Sequence, residues 1–158
     1  AGHARHHICL WDHESWGIFS GDTFGLAYPE LTTDQGPFMV LPSTPTQFDP
    51  ESWHQTLDRL MELQPSRMYL THYGSVKNPQ ELAQVLHDEI DAYVAIALPY
   101  AGAENPVDEL ERALWEHYRK RLQAHGNRQG VGEQERLLAM DVRLCAQGLQ
   151  VWLQRSQG

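Results

Sequence analysis

The feature that most constrains the fold of this chain is a change in the spacing of its apolar residues at Gly74. Before Gly74 the apolar residues come in short runs separated by Gly, Pro and Asp, a pattern typical of β-strands joined by turns. After it they recur every three or four residues, as at Leu82 and Leu86, which is the spacing of one buried helix face. The sequence therefore predicts an α/β region over residues 1–76 and a helical region over residues 77–158.

The α/β region contains four short runs rich in β-branched and aromatic residues, and we predict that each is a strand. Residues 12–15 separate the first two runs, which are expected to form a β-hairpin. Residues 25–36 contain glycine and proline and predict a surface loop. An amphipathic helix is predicted from Asp49, an N-cap ahead of Pro50, to about Pro65. The four predicted strands cover residues 7–11, 16–20, 38–41 and 68–70.

The helical region predicts three amphipathic helices. The first begins after Asn78, whose side chain is expected to form a capping box with Glu81. The second begins at Pro106 and ends before Gly126, and the third covers residues 133–154. These helices would form a small bundle or a lid over the sheet, and their outer surface is a candidate homodimer interface.

Charge and composition limit the partners. The chain has 12 Lys and Arg against 21 Asp and Glu, a net charge of −9. We expect no nucleic-acid or membrane partner, because phosphate and anionic lipid contacts need clustered basic residues. No apolar run approaches the roughly 20 residues that span a bilayer, and the first residues lack a signal-peptide pattern. Cys9 and Cys145 are isolated and predict free thiols. Together these observations favour a cytoplasmic protein.

Three polar residues lie at predicted strand ends or beside a glycine: His3, Asp22 and His72. Imidazole nitrogen and carboxylate oxygen are the ligands that Zn²⁺ and similar divalent ions take. A carboxylate can also bridge two ions. Any one of these residues alone is more often structural, but the three together predict a metal site.

The motifs that contain these residues occur along the chain in the same order as motifs of a known protein superfamily. Gly2-His3-Ala4-Arg5-His6-His7, Ile18-Phe19-Ser20-Gly21-Asp22 and Thr71-His72-Tyr73-Gly74 resemble the C-terminal half of the metallo-β-lactamase fold superfamily. The nearest resemblance is to its glyoxalase II-like hydrolases. It implies the C-terminal half of an αββα sandwich, followed by helices that shape the substrate cleft.

The same resemblance implies a dinuclear metal centre in the complete protein. By that resemblance His3 would bind one ion, Asp22 would bridge both, and His72 would bind the other. Zinc is the favoured metal, with iron or manganese as alternatives. The superfamily motif His-x-His-x-Asp-His lies N-terminal to these ligands and is absent from the sequence, so we expect a missing N-terminal half to supply it. This chain alone would then be inactive, with an exposed apolar sheet face.

Three neighbours of the ligands are candidate supporting or substrate-contacting residues. His7 would orient the site by a hydrogen bond beyond the metal ligands. Thr23 and Tyr73 flank ligands and would contact substrate, or alternatively act as a loop-capping Thr and a packed Tyr. We assign no catalytic side chain, because the ligands hold metal and transfer no proton.

These expectations favour a metal-dependent hydrolase. A metal-bound hydroxide would attack a thioester, a lactone or another ester of a small molecule. One alternative is an iron-dependent oxidoreductase of the same fold, similar to persulfide dioxygenases. The other is a non-catalytic remnant that acts as a binding module.

Overall fold

A four-stranded mixed sheet forms the first part of the computed structural model, which describes residues 1–43 and 47–156. Its two central strands are parallel, and each outer strand is antiparallel to its neighbour. The strand order across the sheet is β1 (Leu10–Asp12), β2 (Gly17–Gly21), β5 (Arg67–Leu70) and β6 (Ser75–Lys77).

The predicted hairpin is confirmed, because β1 pairs with β2 with Leu10 opposite Phe19. The predicted strand over residues 68–70 is also present as part of β5, which lies parallel to β2 with Ile18 opposite Met68. Neighbouring parallel strands end at the same edge of a sheet. The residues that follow β2 and β5 are therefore brought together.

A second, two-stranded sheet pairs β3 (Leu26–Ala27) with β4 (Met39–Val40). The prediction of a surface loop over residues 25–36 is wrong for its first part. Leu26, Tyr28 and Leu31 are buried, because these side chains contribute to the main hydrophobic core. The glycines and the proline in this segment mark tight turns within a packed region.

The structure has four α-helices within the described residues. Asp49 caps the first as predicted, since its side chain accepts the backbone N–H of Ser52. The predicted capping box at Asn78 is wrong: Asn78 adopts a left-handed conformation with φ 56° and makes no side-chain cap. Its amide instead lies 3.5 Å from the Glu81 carboxylate. The helices are α1 (Pro50–Glu62), α2 (Pro79–Ala97), α3 (Val107–Ala124) and α4 (Val131–Ser156).

One hydrophobic core joins the sheets to all four helices. The carbonyl of Leu41 accepts hydrogen bonds from Tyr93 of α2 at 3.0 Å and Cys145 of α4 at 3.3 Å. Arg121 of α3 donates to the carbonyl of Met39 at 3.1 Å. Hydrogen bonds from α2, α3 and α4 therefore hold the segment that contains β4 against the helices. The predicted boundary between residues 76 and 77 falls inside β6, and the division into two regions stays a prediction.

The architecture is thus mixed α/β, as expected at this coarse level. The outer face of the larger sheet is apolar and exposed: Leu10 is 60% and Phe19 is 49% accessible. Phe19 stacks on Tyr69 with ring centroids 4.5 Å apart. Among the described residues, none of the helices has both the length and the apolar character needed to cross a membrane.

Candidate metal centre

The parallel strands β2 and β5 position two of the three predicted ligands. Asp22 directly follows β2, as the first residue of a 3₁₀ turn over Asp22–Phe24. His72 lies in the short loop between β5 and β6, which closes with a 2.9 Å hydrogen bond from the Leu70 N–H to the Gly74 carbonyl. The predictions that Asp22 and His72 follow strand ends are confirmed.

The carboxylate of Asp22 lies between the two predicted histidine ligands. Its Oδ2 is 3.6 Å from His3 Nε2, and its Oδ1 is 3.6 Å from His72 Nε2. Two ligand atoms that each lie about 2.1 Å from one tetrahedral zinc ion are about 3.4 Å apart. Each oxygen–nitrogen pair therefore has the spacing of two ligands that share one ion, and the two pairs share Asp22.

The hydrogen bonding of His3 determines which ring nitrogen faces Asp22. Its Nδ1 is 2.7 Å from the carbonyl of Pro42, and a carbonyl only accepts, so Nδ1 carries the proton. Burial lowers the pKa of His3, although the Pro42 bond and the Asp22 charge raise it. In this tautomer the Nε2 of a neutral ring is the nitrogen that carries a lone pair, and it lies 3.6 Å from Asp22 Oδ2.

Of the two Asp22 carboxylate oxygens, Oδ1 is buried and receives no hydrogen bond from the residues in the described ranges. A buried carboxylate oxygen without a donor is costly, and such atoms call for a bound ion or water. The donor set of two imidazoles and one carboxylate, with this unsatisfied oxygen, fits divalent metal ions.

His7 and Thr23 hold the turn that carries Asp22. The backbone N–H of Asp22 donates to His7 Nε2 at 3.1 Å, so the proton of a neutral ring lies on Nδ1, which is 2.8 Å from the Thr23 hydroxyl. Burial, followed by the nearby His3, lowers the pKa of His7. Thr23 is 1% exposed, and its carbonyl accepts from the Trp53 indole at 2.7 Å. Thr23 is therefore a buried, hydrogen-bonded residue of this turn, and a contact with substrate stays a prediction.

The His72 side of the site is more open than the His3 side. The His72 side chain is 54% exposed, against 7% for His3. Tyr73 has a left-handed backbone conformation with φ 68°. Its ring is 52% exposed and lies against that of Tyr28, with centroids 4.5 Å apart. Tyr73 is therefore both packed on one face and available to substrate on the other.

Two residues near His72 were missed by the sequence reasoning. The Tyr28 hydroxyl donates to Asp141 Oδ2 at 2.6 Å, and both residues are buried. The pKa of Asp141 is raised by burial, against the lowering effects of the Tyr28 bond and the His72 charge. The only sequence signal was an aspartate within the apolar stripe of the last helix.

No three His, Cys, Asp or Glu side chains within residues 1–43 and 47–156 form a ready group for one metal ion. The geometry agrees, because each half of the Asp22 carboxylate has a single histidine opposite it. The described residues thus offer two ligand atoms to each of two positions. The role of His3, Asp22 and His72 as ligands stays a prediction.

No protein-family model, curated protein or solved structure matches this chain.

Proposed function

We propose that this chain contributes to a metal-dependent hydrolase with two divalent ions bridged by Asp22. The observation that carries the proposal is the pair of 3.6 Å separations between the two Asp22 oxygens and two different histidines. The motifs around these residues support a metallo-β-lactamase-like αββα sandwich as the parent fold. The ligands that complete each coordination sphere would come from water, substrate or further protein groups.

The chain's own residues would hold and orient the centre. His3 and His72 would each bind one ion, and the Pro42 carbonyl would keep His3 in the tautomer that binds through Nε2. His7 would fix the Asp22 backbone at the site. When bound, divalent ions supply a Lewis acid for the substrate carbonyl and lower the pKa of a water molecule.

The substrate class follows from charge and access. The net charge of −9 disfavours polyanionic nucleic acid. The exposed side of His72 and Tyr73 leaves room for a small molecule. We propose a thioester, a lactone or another ester, with zinc as the favoured metal.

The test is hydrolysis of a thioester, a lactone and an aryl ester after loading with zinc, manganese or iron. It uses this chain and a version extended at its N-terminus. Asp22→Ala should reduce hydrolysis more than about 100-fold, since ligand loss exceeds the effect of losing an outer-shell partner. Asp34→Asn, an exposed loop change, is the matched control. Equal activity of the Asp22 variant and an active wild type in the extended version would exclude the proposal.

The same donor set also suits iron, so an iron-dependent oxidoreductase is the second candidate. Oxygen consumption by the iron-loaded protein with a persulfide, without ester hydrolysis, would favour it. A protein that binds neither metal would leave the binding-module alternative.

A further inference from the structure

We propose that Asp141, acting through Tyr28, is a positioning residue for the His72 side of the metal centre. Helix α4 would then contribute a positioning residue to the metal site as well as side chains to the hydrophobic core. This inference rests on the proposed function, because it assigns a role toward the ion that His72 would bind.

A continuous series of contacts joins α4 to the His72 loop. Asp141 accepts the 2.6 Å hydrogen bond from the Tyr28 hydroxyl, and both residues are buried. The Tyr28 ring lies against the ring of Tyr73, with ring centroids 4.5 Å apart. Tyr73 directly follows His72 in the sequence. The Leu70–Gly74 hydrogen bond closes the loop into a tight turn. A shift of Tyr28 would therefore move Tyr73 and His72 together.

The backbone of Tyr73 supports this view. A non-glycine residue at φ 68° is an uncommon, strained conformation that the surrounding structure must maintain. The Tyr73 ring lies against the ring of Tyr28, with centroids 4.5 Å apart, and near the ring of His72, at 6.1 Å. The Asp141 carboxylate in turn holds the Tyr28 hydroxyl.

Charge supplies a second link. His72 lies 3.6 Å from Asp22 and also interacts electrostatically with Asp141. Losing an outer-shell partner that orients a metal ligand typically costs about 10- to 100-fold in metal affinity. Asp141 comes from α4, so the helical region would tune this position.

A purely structural role explains the charge of Asp141 poorly. The amide of an asparagine could accept the same hydrogen bond from Tyr28 without placing a carboxylate in a buried site. Tyr28, which donates to Asp141, also packs against Tyr73 of the His72 loop. A charge kept at a cost to stability is typical of functional sites.

The experiment separates the two metal positions before testing Asp141. In a His3→Gln background, a bound zinc ion would report the His72 position, and in a His72→Gln background the His3 position. Asp141→Asn and Tyr28→Phe are each added to both backgrounds, and zinc affinity is measured by competition with a chromogenic chelator. Ser43→Ala is the matched control, because the Ser43 hydroxyl also contacts α4, at the Cys145 carbonyl, without contacting Tyr28 or His72.

We expect Tyr28→Phe, which removes the hydrogen bond to Asp141, to weaken zinc binding about 10- to 100-fold in the His3→Gln background. Asp141→Asn keeps an acceptor for the Tyr28 hydroxyl and should weaken zinc binding less. Binding in the His72→Gln background should stay within about twofold for both variants, and Ser43→Ala should change neither position. Equal affinities with and without Tyr28→Phe would overturn this inference and leave the proposed function intact. An equal loss at both positions would also overturn it, as a general structural effect. No zinc at either position in the wild type would overturn both.

Discussion

At the scale of single residues, Gly2 and Gly21 leave the space that the neighbouring Trp53 and His7 occupy beside the proposed site. A Cβ on Gly2 would lie 2.4 Å from the Trp53 Cα, and a Cβ on Gly21 would lie 2.1 Å from His7 Nε2. Both glycines also have positive φ, 104° and 54°. The ring of Trp53 packs edge-on against that of His3. The glycine before His3 and the glycine before Asp22 therefore set where both ligands lie.

Gly21→Ala should destabilise the protein and displace His7. We expect the free energy of unfolding to fall by about 2 to 4 kcal/mol, from backbone strain and overpacking together. Urea denaturation measures it. Gly126→Ala is the matched control, because Gly126 also has positive φ but meets only the end of the Gln35 side chain, at 3.7 Å. An equal loss in both variants would contradict a steric role for His7 beside Gly21.

Asp141 gives a pH-dependent prediction. Burial raises the pKa of its carboxyl, so the folded protein binds more protons than the unfolded chain above the unfolded pKa of about 3.9. Stability from this group is therefore lost as pH rises through the raised pKa. An asparagine at this position does not ionise, so the Asp141→Asn variant does not lose this stability as pH rises. Its side-chain amide can still accept the hydrogen bond from the Tyr28 hydroxyl. With metal removed, the variant should be at least as stable as the wild type at pH 7 and should lose its advantage toward pH 4. A wild-type advantage that grows with pH in urea denaturation would contradict the prediction.

At the scale of elements, local pattern predicted the β1–β2 hairpin, α1 and the three later helices. These segments have periodic apolar residues and clear breakers, which depend little on distant contacts. The short strands β3 and β6 were missed because their formation depends on contacts between residues that are distant in the sequence. β6 has three residues with only Val76 buried, and β3 has two residues whose burial depends on the helices. Such short strands are stable only within the assembled core.

The contact between α2 and α3 gives a prediction at this scale. Arg121 Nε lies 2.8 Å from the Glu89 carboxylate, which is buried at 5% exposure. Arg121→Met would remove the guanidinium from that carboxylate, leaving His117 Nε2 beside it at 3.1 Å, and would also remove the bond to the Met39 carbonyl. We expect a loss of about 3 to 5 kcal/mol in the free energy of unfolding.

Arg136→Met is the control for this change, because Arg136 and Glu133 form an exposed pair within α4. Exposed pairs contribute little, so thermal denaturation should show almost no change. If the two variants melt at the same temperature, the buried pair does not hold α3 against α2.

At the scale of the whole molecule, the proposed site lies where the parallel strands β2 and β5 end, and α4 contacts its His72 side through Asp141 and Tyr28. The sequence motifs predicted His3, Asp22 and His72, because strand ends and glycines are visible locally. They did not predict the Tyr28–Asp141 pair, since these residues are 113 positions apart and only tertiary packing brings them together. Of the supporting residues, His7 accepts the backbone N–H of Asp22, and its role at a metal site stays a prediction. Only the fold shows that its partner Thr23 is buried.

The most direct test of the central claim, a bridging Asp22, is zinc stoichiometry by elemental analysis after equilibration and removal of free metal. It is made on this chain and on a version extended at its N-terminus. For the extended version the account predicts about two equivalents in the wild type, about one in His3→Gln, about one in His72→Gln and none in Asp22→Ala. An Asp22→Ala variant that retains the zinc content of the wild type would contradict it.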